Sequence, residues 1–187
     1  MHRYKSTLFV AFLLLLLGVG SLAQGNAGGR TPRAAVEQFF ALLKAQQHDK
    51  LYDQLPAQLQ QQLTRAQLSA SLKRLDEFLV IEKMQLGRVQ EHGEFAVVDT
   101  TIYGRLKKPM KINAQEINAG RATAQQYLRK ENGQWKIITA DERTRAAFLK
   151  QHPEFSQQFQ LTRAGFEFKQ NKQWQAFNPP RNALPRP

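Results

Sequence analysis

The chain changes period at residue 79. Up to Phe78 its apolar residues recur every three or four positions; from Leu79 they gather in β-branched and aromatic runs separated by turn signals. A chain that spends its helical pattern first and its strand pattern second folds as α+β, with helices laid on an antiparallel sheet. Thr31-Pro32 reads as an N-cap with proline at N1. Val36, Phe39, Phe40 and Leu43 follow on one helical face, widened by Leu42. Asp49 is placed to cap a short second helix carrying Leu51, Tyr52 and Leu55. Pro56 restarts the chain ahead of Leu59 and Leu63. Thr64 with Gln67 forms a capping box, and Leu68, Leu72, Leu75 and Leu79 continue as a helical stripe.

The strand half holds four runs: 80–86, 95–106, 122–129 and 135–139. Residues 90–94 link the first two. Glu131-Asn132-Gly133-Gln134 links the last two through Asn-Gly, the strongest short hairpin signal here. Residues 107–121, interrupted by Pro109 and Gly120, read either as a long loop or as two strand ends meeting in a wide hairpin. Residues 141–151 return to helix, stopped by Pro153. Phe166 and Phe168 alternating with Glu167 read as an added strand. The expected plan is a signal segment at 1–23, a flexible leader at 24–31, an α+β domain at 32–145, an extension at 146–177 and a disordered tail at 178–187.

The start of the chain sets the compartment. Arg3 and Lys5 precede an apolar run from Leu8 to Leu17, and Ser21-Leu22-Ala23 supplies small residues for cleavage. That is a secretory signal layout. The run falls short of the roughly 20 residues of a spanning helix, although an uncleaved anchor over 8–23 is the rival reading. A periplasmic or secreted location follows. Cleavage leaves 164 of the 187 residues, and the chain has no cysteine, so the mature fold stands on packing alone. Losing Arg3 and Lys5 lowers the formal charge from +12 to +10, which favours solubility and anionic partners.

Three segments bear a family likeness: the opening helix Ala34–Leu43, the short Asp49–Leu55 helix and the late hairpin Gln126–Ile137, with its Lys130-Glu131-Asn132-Gly133-Gln134-Trp135-Lys136-Ile137 stretch. Together, over about residues 32–141, they resemble exported members of the NTF2-like (nuclear transport factor 2-like, cystatin-like) superfamily. The resemblance implies a cone of curved sheet wrapped by helices, with a pocket at its open end. The superfamily includes isomerases, dehydratases and binding modules without activity, so the site must decide between them.

Most catalytic chemistries lack their residues. His48, His92 and His152 are far apart with no cysteine partner, so no metal site and no cofactor are expected. No Gly-x-Ser-x-Gly elbow and no phosphate-cradling glycine loop occur. Asp99 remains the weak catalytic candidate. It alternates with Phe95, Val97, Thr101 and Tyr103, which puts Asp99 and Tyr103 on one strand face about 13 Å apart. With Tyr52 and Tyr127 approaching the same cavity, the candidate ligand pocket is Tyr52, Phe95, Asp99, Tyr103 and Tyr127. A candidate polyanion surface is Arg105, Lys107, Lys108 and Lys111 with Lys169 and Lys172, interleaved with tail aromatics as in single-strand binders. An exported protein meets anionic lipid or envelope polymer more readily than nucleic acid.

These readings converge on a non-enzymatic envelope or secreted module that takes a small apolar ligand or a partner protein in its pocket. A basic surface docking on anionic lipid or polymer is the second reading, and a cofactor-free isomerase or dehydratase using Asp99 the third. The sheet also offers a face for a homodimer.

Overall fold

The computed structural model describes residues 29–112, 115–138, 142–170 and 173–176, and no helix among them is long and apolar enough to cross a membrane. The signal segment, leader residues 24–28, Lys172, Phe177 and the tail 178–187 lie outside the described residues.

Four helices come first. Helix α1 (Pro32–Lys44) starts where Thr31 Oγ1 accepts the Ala34 N–H, with Pro32 in the first turn, and it buries Ala35, Val36, Phe40 and Leu43. Helix α2 (His48–Tyr52) is preceded by Gln47. Asp49 does not cap it; it sits inside the first turn. Helix α3 (Ala57–Gln62) follows Pro56. Helix α4 (Arg65–Phe78) carries the Thr64–Gln67 capping box in full. Its leucine stripe is buried only at the start: Leu68 is in the core, Leu75 is exposed, and Leu79 already belongs to the first strand. The helix outruns the core beneath it.

The sheet has six strands: β1 (Leu79–His92), β2 (Phe95–Ile112), β3 (Gln115–Glu131), β4 (Gln134–Ile138), β5 (Gly165–Gln170) and β6 (Gln173–Ala176). Their order is β1-β2-β3-β5-β6, with β4 also paired to β3. Every pairing is antiparallel. One edge of β3 therefore meets β2. The other is shared between β4, opposite Tyr127–Glu131, and β5, opposite Gly120–Thr123. Residues 107–121 are not a loop: β2 and β3 run on as two long strands. Pro109, which has no N–H for a ladder, falls in the register break between Arg105 and Met110. Two further register shifts on β1, at Ile81/Lys83 and Leu86/Val89, each insert one residue. Such bulges bend a strand, and the sheet is curved. The β3–β4 hairpin turns through Asn132 and Gly133, both at positive φ (50° and 76°), as a type I′ turn requires.

The two faces of the sheet carry separate cores. Ala96, Val98, Leu128, Trp135 and Ile137 pack against Val36, Phe40, Leu51, Leu55 and Leu68 of the first helices. Phe95, Val97, Tyr127 and Ile138 point the other way and pack against Phe148, Phe155 and Phe159. Those phenylalanines come from helix α5 (Glu142–Gln151), helix α6 (Pro153–Gln158) and the residue after it. Pro153 thus opens α6 as well as ending α5. Covering one sheet face was the expectation for the helices; the extension covers one end of the second. The result is an α+β fold of helices on a curved antiparallel sheet.

Candidate functional site: an apolar groove at the open end of the sheet

The first helical layer stops short of one end of the sheet. Helix α4 finishes at Phe78, and Leu79 turns directly into β1 while its N–H still bonds the Leu75 carbonyl. Beyond that point the register aligns Ile102 with Ala122, Gly104 with Gly120, Ala122 with Phe166 and Gly120 with Phe168. Directly paired residues share a face, and Ile102 packs on the first core, so all of these lie on the face that the first helices cover elsewhere. The floor is made of small residues. Gly104, Gly120 and Ala122 leave the pleat nearly bare. A Cβ on Gly104 would come within 2.8 Å of Leu79 Cδ1, so Leu79 leans over that glycine. Leu79, Ile102, Leu106 and Ile117 rise on one side, and Phe166 and Phe168 on the other. They enclose a recess of about 260 Å³ whose lining is almost wholly apolar.

The outer wall is held by one ion pair. Arg121 on β3 forks onto Glu167 on β5, at 2.6 Å from Nε and 2.8 Å from Nη2. Hydrogen bonding and charge from Arg121 hold the Glu167 carboxyl below the usual glutamate range. The Arg121 guanidinium also lies 4.7 Å above the Trp174 ring on β6, and Tyr103 meets that ring edge-on at 5.9 Å. This cluster is on the far face of the sheet, and it fastens β5 and β6 to the body.

A second recess, polar and of about 450 Å³, opens on that far face. Asp99 is in it, half-exposed. Its Oδ1 accepts from Gln125 Nε2 at 3.1 Å, and its Oδ2 lies 3.8 Å from Arg88 Nε. Gln125 is buried, donates to the Gln160 carbonyl and accepts the Thr162 N–H, so it anchors the segment after α6.

The five candidate pocket residues do not line one cavity. Phe95 and Tyr127 are buried beneath α5 and α6. Burial pushes the Tyr127 phenol above its usual value, against the opposing pull of the Arg145 guanidinium 4.6 Å from its ring. The Tyr103 hydroxyl donates to Gln85 Oε1 at 2.8 Å, and Gln85 rather than Tyr103 lines the recess that holds Asp99. Tyr52 packs on the first core, on the other side of the sheet; its hydroxyl donates to the Gln60 carbonyl at 2.6 Å, under Arg65. Acid–base chemistry on an enolisable substrate needs a carboxylate and an oxyanion donor converging on one atom. None of these tyrosine hydroxyls meets Asp99.

The basic candidates are dispersed. Arg105 pairs with Glu82 at 2.8 Å. Lys107 and Lys108 are exposed on β2, and Lys169 is exposed on β5 with Nζ 6.0 Å from the Trp174 ring. Lys111 is opposite Glu116 in the β2–β3 register, and Lys172 is outside the described residues. Among the described residues no group of three His, Cys, Asp or Glu side chains is placed to hold a metal ion.

The groove residues were missed in the sequence reading. Their signal was the clustering of Gly104, Ala119, Gly120 and Ala122 inside strands, where small residues mark a close approach or an unfilled face.

No protein-family model matches the chain, and no curated protein does. Solved structures similar to it include a SEC-C motif-containing protein from Rhodopseudomonas palustris and an NTF2-like protein with a cystatin-like fold from Novosphingobium aromaticivorans. The first is 14% identical over 58% of this chain and 75% of that one, with a TM-score of 0.43. The second is 12% identical over 77% of this chain and 97% of that one, with a TM-score of 0.34. Likenesses at that level bear no functional weight, and the site has to be read from its own residues.

Proposed function

We propose that the protein is a non-enzymatic binding module that holds a small apolar ligand in the groove at the open end of its sheet. The observation that carries this reading is the groove itself, a nearly all-apolar recess on a face that is otherwise core. Ligand sites are mostly apolar hollows of about 300–1,000 Å³. At about 260 Å³ this one suits a single aliphatic chain better than a fused ring system. Asp99, held by Gln125 and Arg88 on the opposite face, takes no part. The N-terminal layout supports a location outside the cytoplasm; a processed chain beginning at Gln24 on N-terminal sequencing would bear that out, and one retaining Met1 in membranes would overturn it.

Titration with a fluorescent fatty acid tests the groove. Wild type should bind about equally at low and high salt. Ala122→Phe, which puts a ring between Ile102 and Phe166, should abolish binding while leaving the circular dichroism melt cooperative. Asp99→Asn should leave it unchanged. Binding that survives Ala122→Phe would overturn the groove. Turnover of an enolisable ketone, lost in Asp99→Asn with the fold intact, would replace the reading with an isomerase.

A further inference from the structure

The rim of the groove is as telling as its floor. Among the described residues three large hydrophobic side chains are exposed: Leu75 at 41%, Phe78 at 68% and Phe166 at 57%. All three belong to this end of the molecule. Phe166 forms the β5 wall of the groove, and Phe78 immediately precedes Leu79, which forms the opposite wall. Leu75 and Phe78, three residues apart, share one side of the last turn of α4. That turn extends past the helical core, and among the described residues neither side chain has a partner that buries it.

Charge accompanies these residues. Lys73 and Arg74 are exposed on the same part of α4. Lys107 and Lys108 are exposed directly after the groove residue Leu106, and Lys169 directly after the groove residue Phe168. The exposed carboxylates beside them are Glu77, Glu116 and Glu82, the last paired with exposed Arg105 at 2.8 Å; Asp76 turns inward to His48, 3.0 Å away. With that pair set aside, cations outnumber carboxylates five to two around a patch of bare aromatic surface.

Phenylalanine and leucine tips inside a ring of lysines match the layering of an anionic bilayer, with acyl chains below and phosphates at headgroup level. A soluble polyanion would use the cations and leave the phenylalanines in water. We infer that the open end of the sheet docks on an anionic phospholipid surface through Leu75, Phe78 and Phe166, with Lys73, Arg74, Lys107, Lys108 and Lys169 at the headgroups. The groove mouth would then face the acyl layer. The inference goes beyond the apolar-ligand reading and stands on the rim alone, since docking needs no occupied groove.

The test places a reporter on the rim of the full chain. Phe78→Trp and Phe166→Trp, made singly, are mixed with vesicles of phosphatidylglycerol and phosphatidylcholine, with brominated acyl chains as quencher. At low salt both reporters should shift to the blue and be quenched. Pure phosphatidylcholine vesicles should give at least a tenfold weaker response. Lys107→Glu with Lys108→Glu should weaken binding at least tenfold, and so should 0.5 M salt, which shortens the screening length to a few ångström. With the wild-type emission of Trp135 and Trp174 subtracted, each reporter senses its own surroundings, so membrane attachment elsewhere in the chain leaves it unquenched. Ala122→Phe should abolish fatty-acid binding yet keep both reporters quenched, so the two readings fail separately. Unquenched reporters, equal quenching on zwitterionic vesicles, a blue shift produced equally by heparin, or a dimer that buries Phe78 in the absence of lipid would each overturn the docking surface.

Discussion

Phe155 is the residue whose truncation best tests how the two faces of this sheet are held. It is fully buried and meets four rings: Phe159 at 4.7 Å, Tyr127 and Phe148 at 5.0 Å and Phe95 at 5.6 Å between centroids. Truncating a buried Phe to Ala costs about 3–5 kcal/mol, from lost transfer free energy and an unfilled cavity. The upper part of that range applies here. Phe95 and Tyr127 are on the central strands β2 and β3, whose ladders fix their backbones, so they cannot collapse into the space. The lost ring pairs add to the cost as well, each worth about 0.5–1.5 kcal/mol beyond area and not simply summing.

The expected loss is about 4–5 kcal/mol. With a urea slope of about 2 kcal/mol/M for a small domain, the midpoint should fall by about 2 M. Urea melts in a Trp174→Phe background, followed both by tryptophan fluorescence and by circular dichroism, check this, since the remaining Trp135 lies in the opposite core. Both signals should move together in one transition. A loss below 1 kcal/mol, or a first transition that leaves Trp135 undisturbed, would refute the claim that the C-terminal helices are part of the same cooperative unit. Phe166→Ala is the control. That side chain is mostly exposed, so its loss should stay within about 0.5 kcal/mol.

Trp135→Ala should cost about 3–5 kcal/mol in the same melts, because the indole is 1% exposed and packs between β4 and the first helices. Glu167→Gln should show a pH-dependent penalty. The folded carboxyl is held below its unfolded value by Arg121, so its stabilisation is present at neutral pH and lost as pH falls through the folded value. Thermal melts of wild type and variant should therefore differ most near pH 7 and converge at the acid end; a gap that widens in acid would contradict the pairing.

Much of this architecture was legible because its signals are local. The Thr64–Gln67 capping box and the Asn132-Gly133 turn each depend on a few adjacent residues, and both stand in the structure as read. Alternation likewise put Phe95, Asp99 and Tyr103 on one face, and Tyr127, directly opposite Val97, joins them there. What alternation cannot tell is which element covers a face and how far along it. Helices α5 and α6 cover the Phe95 end and convert Phe95 and Tyr127 into core. They leave Asp99 in a polar recess and Tyr103 beside the late strand β6. The expected pocket failed for that reason: its members share a face but not a cover.

The same asymmetry explains where a binding site can exist. A curved sheet has two faces to bury, and this chain brings two sets of helices to do so, both toward the Phe95–Val98 end of β2. At the far end the outer face is closed by β6 through Trp174, Arg121 and Tyr103. Among the described residues no further helix covers the inner face after α4 stops at Phe78. The residues there are those an uncovered face can carry at least cost. Glycines and alanines expose little apolar area, and the larger side chains lean inward to shelter one another. Phe78 and Phe166 break that economy. Each exposed phenylalanine forgoes burial worth about 1.5–3 kcal/mol. Substituting serine at both positions should therefore leave the melting temperature nearly unchanged while removing the vesicle response. A chain that melts lower as the serine variant would show that these rings already have a protein partner in solution, and the open end would then be an interface between proteins instead of one with lipid.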